Sequence, residues 1–85
     1  MIVRVIVTLK PSVLDPQGMT IQRALASQGF AAAKNVRQGK YFEIEWDGNP
    51  DDPSSREHLE AIASQVLSNP VIEGYRIEWP ERTRA

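Results

Sequence analysis

The sequence predicts an α+β fold: a β-α-β-α-β two-layer sandwich of ferredoxin-like character, with a three-stranded sheet and two helices on one face. Three segments, Ile2 to Leu9, Val36 to Trp46 and Tyr75 to Trp79, alternate apolar and polar residues with the period of a strand. Two stretches between them repeat apolar residues at helical spacing, each near an Asp-Pro pair. That order lets both helices cover one face of an antiparallel or mixed sheet. The 85 residues make a single domain over residues 1–80, with a flexible tail at 81–85.

In the first strand Val3, Val5, Val7 and Leu9 form a wholly apolar face, and Ile2, Arg4, Ile6 and Thr8 a mixed one. Lys10-Pro11 ends it, because proline cannot donate to a ladder. Asp15-Pro16 then starts a helix running roughly from residue 16 to 28. The carboxylate accepts from amides of the first turn, and proline lacks an amide that would go unbonded there. Ile21, Ala24 and Leu25 share a side with Gly18, and Gly29 suits a left-handed cap.

Val36 to Trp46 reads best as one long, bent second strand, although a bulge, a sharp bend or a tight hairpin at Gly39 would each fit its pattern. Phe42, Ile44 and Trp46 carry its apolar parity, but upstream that parity holds Gln38 and Lys40, and Gly39 sits at the break. Turn chemistry fills 47–53. The second helix follows, with Ser54 to Glu57 spaced as a capping box and Asp52-Pro53 as a competing start. Its stripe is Leu59, Ile62, Ala63, Val66 and Leu67, and Asn69-Pro70 stops it. Both later strands end in Ile-Glu-Trp, which suggests equivalent strand ends with similarly placed indoles.

Forty-one per cent apolar and 25% charged residues are ordinary globular values. A net charge of −1, with basic residues scattered apart from Arg82 and Arg84, argues against a polyanion binder. The absence of cysteine excludes disulfides, thiol nucleophiles and thiolate metal sites. Ile2 to Leu9 is too short for a signal-peptide core, and no stretch approaches membrane-spanning length, so a cytoplasmic protein is expected. A domain this small gains by covering apolar surface with a second copy of itself.

Chemistry is sparse. His58 is the only histidine and has no partner in sequence for acid–base or metal work. Asp51-Asp52 is turn and helix-start chemistry, and Glu43 with Glu45 forms a polar stripe on one strand face. Gly39-Lys40 lacks the further glycines and the Ser or Thr of a phosphate loop. Arg37, Lys40 and Tyr41 form a compact polar group beside the break at Gly39, poised between a charged strand edge and a partner contact. The expected site inventory is therefore no catalytic, cofactor-binding or metal-binding residue, with Arg37, Lys40, Tyr41, Tyr75 and Arg76 as candidate contacts.

Three runs carry a resemblance: Asp15-Pro16-Gln17-Gly18, Val36-Arg37 with Gly39-Lys40, and Asn69-Pro70-Val71-Ile72-Glu73 with Tyr75-Arg76. In this order they resemble the PurS-type small subunit of bacterial formylglycinamide ribonucleotide amidotransferase (phosphoribosylformylglycinamidine synthase), from Val3 to about Trp79. The resemblance implies a non-catalytic component of a glutamine-dependent ligase in purine biosynthesis. It would act as a dimer or dimer of dimers that brings a large synthetase subunit together with a glutaminase subunit. The chain would bind no cofactor, and ATP and Mg would be used by the complex through the large subunit. An amino-acid-sensing dimer of the ACT type is the alternative, although Lys10-Pro11-Ser12-Val13 stands where its glycine-rich ligand loop would be.

Overall fold

The computed structural model describes residues 1–80, so the expected tail at 81–85 lies outside the described residues. The elements follow the predicted order: β1 (Ile2–Leu9), α1 (Pro16–Ser27), β2 (Gly39–Glu45), α2 (Pro53–Ile62) and β3 (Glu73–Glu78). A π-helical turn, Ala63–Leu67, continues α2. β1 is the central strand and pairs antiparallel with both neighbours, in the order β2-β1-β3.

The period-2 pattern of β1 sorts its side chains as expected. Val3, Val5 and Val7 are fully buried, together with Leu59 and Ala63 from the α2 segment. Phe42, Ile44 and Ile77 from the flanking strands pack against this cluster. Trp46 and Trp79 pack on it too, both just past strand ends that lie at the start of β1. The two Ile-Glu-Trp runs are thus equivalent strand ends. The opposite sheet face carries Arg4, Ile6 and Thr8, flanked by Tyr41, Glu43, Arg76 and Glu78, and no helix among the described residues covers it.

Three details depart from the sequence reading. The second strand begins at Gly39, and residues 34–38 are not part of the sheet. A Cβ at Gly39 would overlap the Val7 carbonyl oxygen, so the break in alternation marks a close backbone approach where the strand enters. The start of α2 is Asp52-Pro53 and not the Ser54 box: Asp52 accepts from the Ser54 amide at 3.1 Å. Ser55 is committed elsewhere, accepting from the Trp46 indole at 2.9 Å and donating to Asp52 at 2.8 Å. Val66, predicted on the apolar stripe, is 75% exposed. The wider π turn breaks the 3.6-residue repeat, and Ser68 donates back across it to the Ala63 carbonyl at 2.8 Å.

The third element of the prediction, two helices on one face, holds only for α2. No residue of α1 belongs to the core or packs against it. Instead α1 and the chain that follows form an arm, residues 10–38, projecting from one end of the sheet. Gly29, at φ 93°, reverses the chain at its tip. The return strand lies beside the helix, where Gln22 donates to the Lys34 carbonyl at 2.9 Å. Gly18 permits this contact, because a Cβ there would overlap the Val36 carbonyl oxygen. The result is elongated, 51 × 31 × 17 Å with a radius of gyration of 16.6 Å. A compact chain of this length has about 12 Å.

Candidate functional site

The five predicted contact residues do not form one patch. Lys40 and Tyr75 both stand opposite Val7 in the two strand pairings, on the face that α2 covers. Tyr41 and Arg76 both stand opposite Ile6, on the open face. Arg37 belongs to the root of the arm.

Each is held by specific bonds. Arg37 donates to the Lys10 carbonyl at 2.9 Å and, more weakly, to that of Leu9 at 3.4 Å, tying the returning arm to the end of β1. Lys40 lies 3.5 Å from Glu73, an ion pair linking the starts of β2 and β3. The Tyr75 hydroxyl donates to Glu60 at 2.7 Å, and this bond raises the phenol above its ordinary pKa of 10.0. The Tyr41 hydroxyl accepts from Arg4 at 2.9 Å and donates to Glu43 at 2.8 Å. Its hydrogen bond to the carboxylate of Glu43 likewise raises its pKa. Arg76 pairs with Glu78 at 3.6 Å, so the open face is a lattice of charge around Ile6.

Asp15 does more than its sequence context announced. Its carboxylate accepts from the Gly18 amide at 2.8 Å, as a helix cap, and from the Gln38 amide at 2.7 Å. The two bonds clamp both legs of the arm at its root. The Gln38 bond first and the Gly18 bond second hold its pKa below the ordinary 3.8, against the opposing effect of desolvation. Beside this clamp opens a cleft of about 490 Å³ lined by Leu9, Pro16, Gln17, Gln38, Lys40 and Glu73. Asp15 lines it as well, so the cleft holds two carboxylates and one cation, with Lys40 paired to Glu73 and Asp15 taken up by the clamp.

At the far end of the sheet, Trp46 joins the α2 start through Ser55, and its ring lies 6.3 Å from that of His58. Arg56 stacks over the Trp79 ring at 4.5 Å and donates to the Pro50 carbonyl at 2.6 Å. His58 is exposed. No group of three or more His, Asp or Glu side chains among the described residues could hold a metal ion. No described helix is long and apolar enough to cross a membrane.

One feature escaped the sequence reading, which took the basic residues as scattered. Residues 10–38 carry Lys10, Arg23, Lys34 and Arg37 against the single carboxylate of Asp15, whereas residues 39–80 carry nine carboxylates against three cations. Counting charge segment by segment, rather than over the chain, would have shown it.

The family model described as PurS, phosphoribosylformylglycinamidine (FGAM) synthase, matches residues 2–81. The phosphoribosylformylglycinamidine synthase subunit PurS of Synechocystis sp. is 41% identical over 75 residues, 88% of this chain and 74% of that protein. The structure of Bacillus subtilis PurS superposes with a TM-score of 0.78 at 40% identity, covering 91% of this chain and 94% of that one. A chain in the structure of PurLQS from Thermotoga maritima superposes with a TM-score of 0.72 at 26% identity, covering 92% and 96%.

Proposed function

The chain belongs to the PurS family of phosphoribosylformylglycinamidine synthase subunits, and from that membership we propose that it bridges a large synthetase subunit and a glutaminase subunit without itself catalysing a step. The observation that carries this reading is the family match along the described chain, joined by the likeness to a chain of PurLQS. The complex converts formylglycinamide ribonucleotide to its amidine with ATP and glutamine. ATP and Mg belong to the large subunit. The amino-acid-sensing alternative has no comparable support.

The chemistry of the chain suits such a role. A glutaminase needs an activated thiol or an equivalent nucleophile, and the sequence has no cysteine. What it offers instead is surface: an open sheet face, a cleft at the arm root, and an arm without cover. The chain acts as a dimer or a dimer of dimers. Tyr41 and Arg76, flanking Ile6 on the open face, make the contact with the synthetase, since Tyr and Arg are enriched at energetic centres of interfaces. Arg37, Lys40 and Tyr75 support that surface by fixing the arm root and the strand starts.

Assembly tests the proposal. Purified synthetase and glutaminase should migrate as one complex in size-exclusion chromatography only when this chain is added. Comigration of the synthetase and the glutaminase without it, unchanged on its addition, would remove the bridging role.

A further inference from the structure

Lys10, Lys34 and Arg37, three of the four cations on residues 10–38, line or adjoin in sequence one hollow at the root of the arm. It has a volume of about 360 Å³ and is lined by Thr8, Leu9, Pro11, Asn35 and Arg37. Thr8 stands on the open sheet face, whereas Lys40, in the cleft beside the Asp15 clamp, stands on the covered one. The cleft holds two carboxylates; the hollow is lined by one cation and no carboxylate. Lys10 and Lys34, next in sequence to Pro11 and Asn35, are exposed and pair with no carboxylate among the described residues.

Arg37 is held there by neutral groups. Its Nη2 donates to the carbonyls of Lys10 and Leu9, which fix the guanidinium without cancelling its charge. The N–H groups of Nε and Nη1 have no acceptor among the described residues, and the Thr8 hydroxyl and Asn35 amide side chains have no partner there. Asp15 feels the Arg37 charge, but its oxygens accept from the Gly18 and Gln38 amides and it does not line the hollow.

We propose that this hollow binds a single phosphate group, with Arg37 donating from Nε and Nη1 and with Thr8 and Asn35 completing the set. A guanidinium already fixed in place offers planar, pre-organised donors to an oxyanion. A phosphate group carries about −1.5 to −2 charges at pH 7 and a carboxylate about −1, so one lining cation with two adjoining lysines favours the phosphate. The net charge of −1 argues against a long polyanion, not against one phosphate in a local positive field. The site does not depend on the bridging role, since every residue in it belongs to one chain.

Heteronuclear NMR of the full chain, titrated with inorganic phosphate at ionic strength held constant with sodium chloride, tests this. Backbone amides of residues 8–10 and 34–38 should shift and saturate at millimolar phosphate. Glycerol phosphate should shift the same amides; binding of inorganic phosphate without the ester would narrow the ligand to the free ion. Arg37→Gln should weaken binding about tenfold or more. Arg23→Gln removes the same charge from the arm outside the hollow and should leave the affinity within about twofold. Because Arg37→Gln also loosens the arm root, Thr8→Val/Asn35→Ala, which touches none of the root's bonds, is the second variant and should bind about threefold or more weakly. The absence of saturable shifts, equal losses in Arg23→Gln and Arg37→Gln, or undiminished affinity in Thr8→Val/Asn35→Ala would each overturn the site. Acetate binding as tightly as phosphate would overturn its assignment to a phosphate group.

Discussion

Asp15 shows how much structure one side chain can organise. The sequence announced it as a helix cap, through its position before Pro16, and the cap is there. Its second bond, to the Gln38 amide, spans 23 residues and could not be read from local pattern. Asp15→Ala should lower Tm by roughly 5–10 °C, as the loss of a cap with its tertiary bond does in a domain of this size. Because the folded carboxyl titrates below 3.8, its stabilisation is present above that value and is lost as pH falls through the folded pKa. Thermal melts taken from pH 6 down to the lowest pH at which the protein stays folded should show the wild type approaching the alanine variant only below about pH 3.8; a gap that already closes above that pH would contradict the clamp. The two close-approach glycines make a sharper case. Gly39→Ala should cost about 1–3 kcal/mol, because the Val7 carbonyl must move to admit the methyl group. Gly74→Ala, with nothing within 4 Å of its added Cβ, is the control and should cost less. Denaturant titrations of both variants decide the point.

Among the elements, β1, β3 and α1 were legible because each is governed by a single period or a single cap. Val3, Val5 and Val7 alternate without interruption, and burial follows. The start of β2 was less legible, since Val36 to Gln38 have extended, strand-like composition but belong to the return leg of the arm. The end of α2 was misread for a different reason: a π turn changes the period partway, and no residue type between Ala63 and Leu67 announces it. Stability should register the difference. Leu59→Ala should cost about 2–5 kcal/mol from the core, whereas Val66→Ser should fall within about 0.5 kcal/mol of wild type. If the two substitutions proved equally costly by denaturant titration, Val66 would have to be covered in the monomer. The candidate contacts read from the sequence form one group there, but the structure divides the four on strands between two faces and leaves Arg37 at the arm root. Their division between two faces follows from parity across β1: 40 and 41 are neighbours in sequence and opposites in space.

At the scale of the molecule, the arm and the segregated charge set this chain apart from a compact domain of its length. The proposed bridging role calls for surface that other chains can cover, and helix α1 finds no cover on its own sheet. The open face around Ile6 offers a second surface for that purpose, and Tyr41→Ala/Arg76→Ala should leave the fold intact while weakening association with the synthetase about tenfold. Surface plasmon resonance with immobilised synthetase measures this, and unchanged binding would move the contact elsewhere. Glutamine-derived nitrogen should reach the synthetase only when this chain joins it to the glutaminase. Amidation of formylglycinamide ribonucleotide by the purified synthetase and glutaminase should therefore be compared with glutamine and with ammonia as nitrogen source, with and without the chain. The glutamine-dependent rate should require the chain and the ammonia-dependent rate should not. Equal glutamine-dependent rates in its presence and absence would contradict the account.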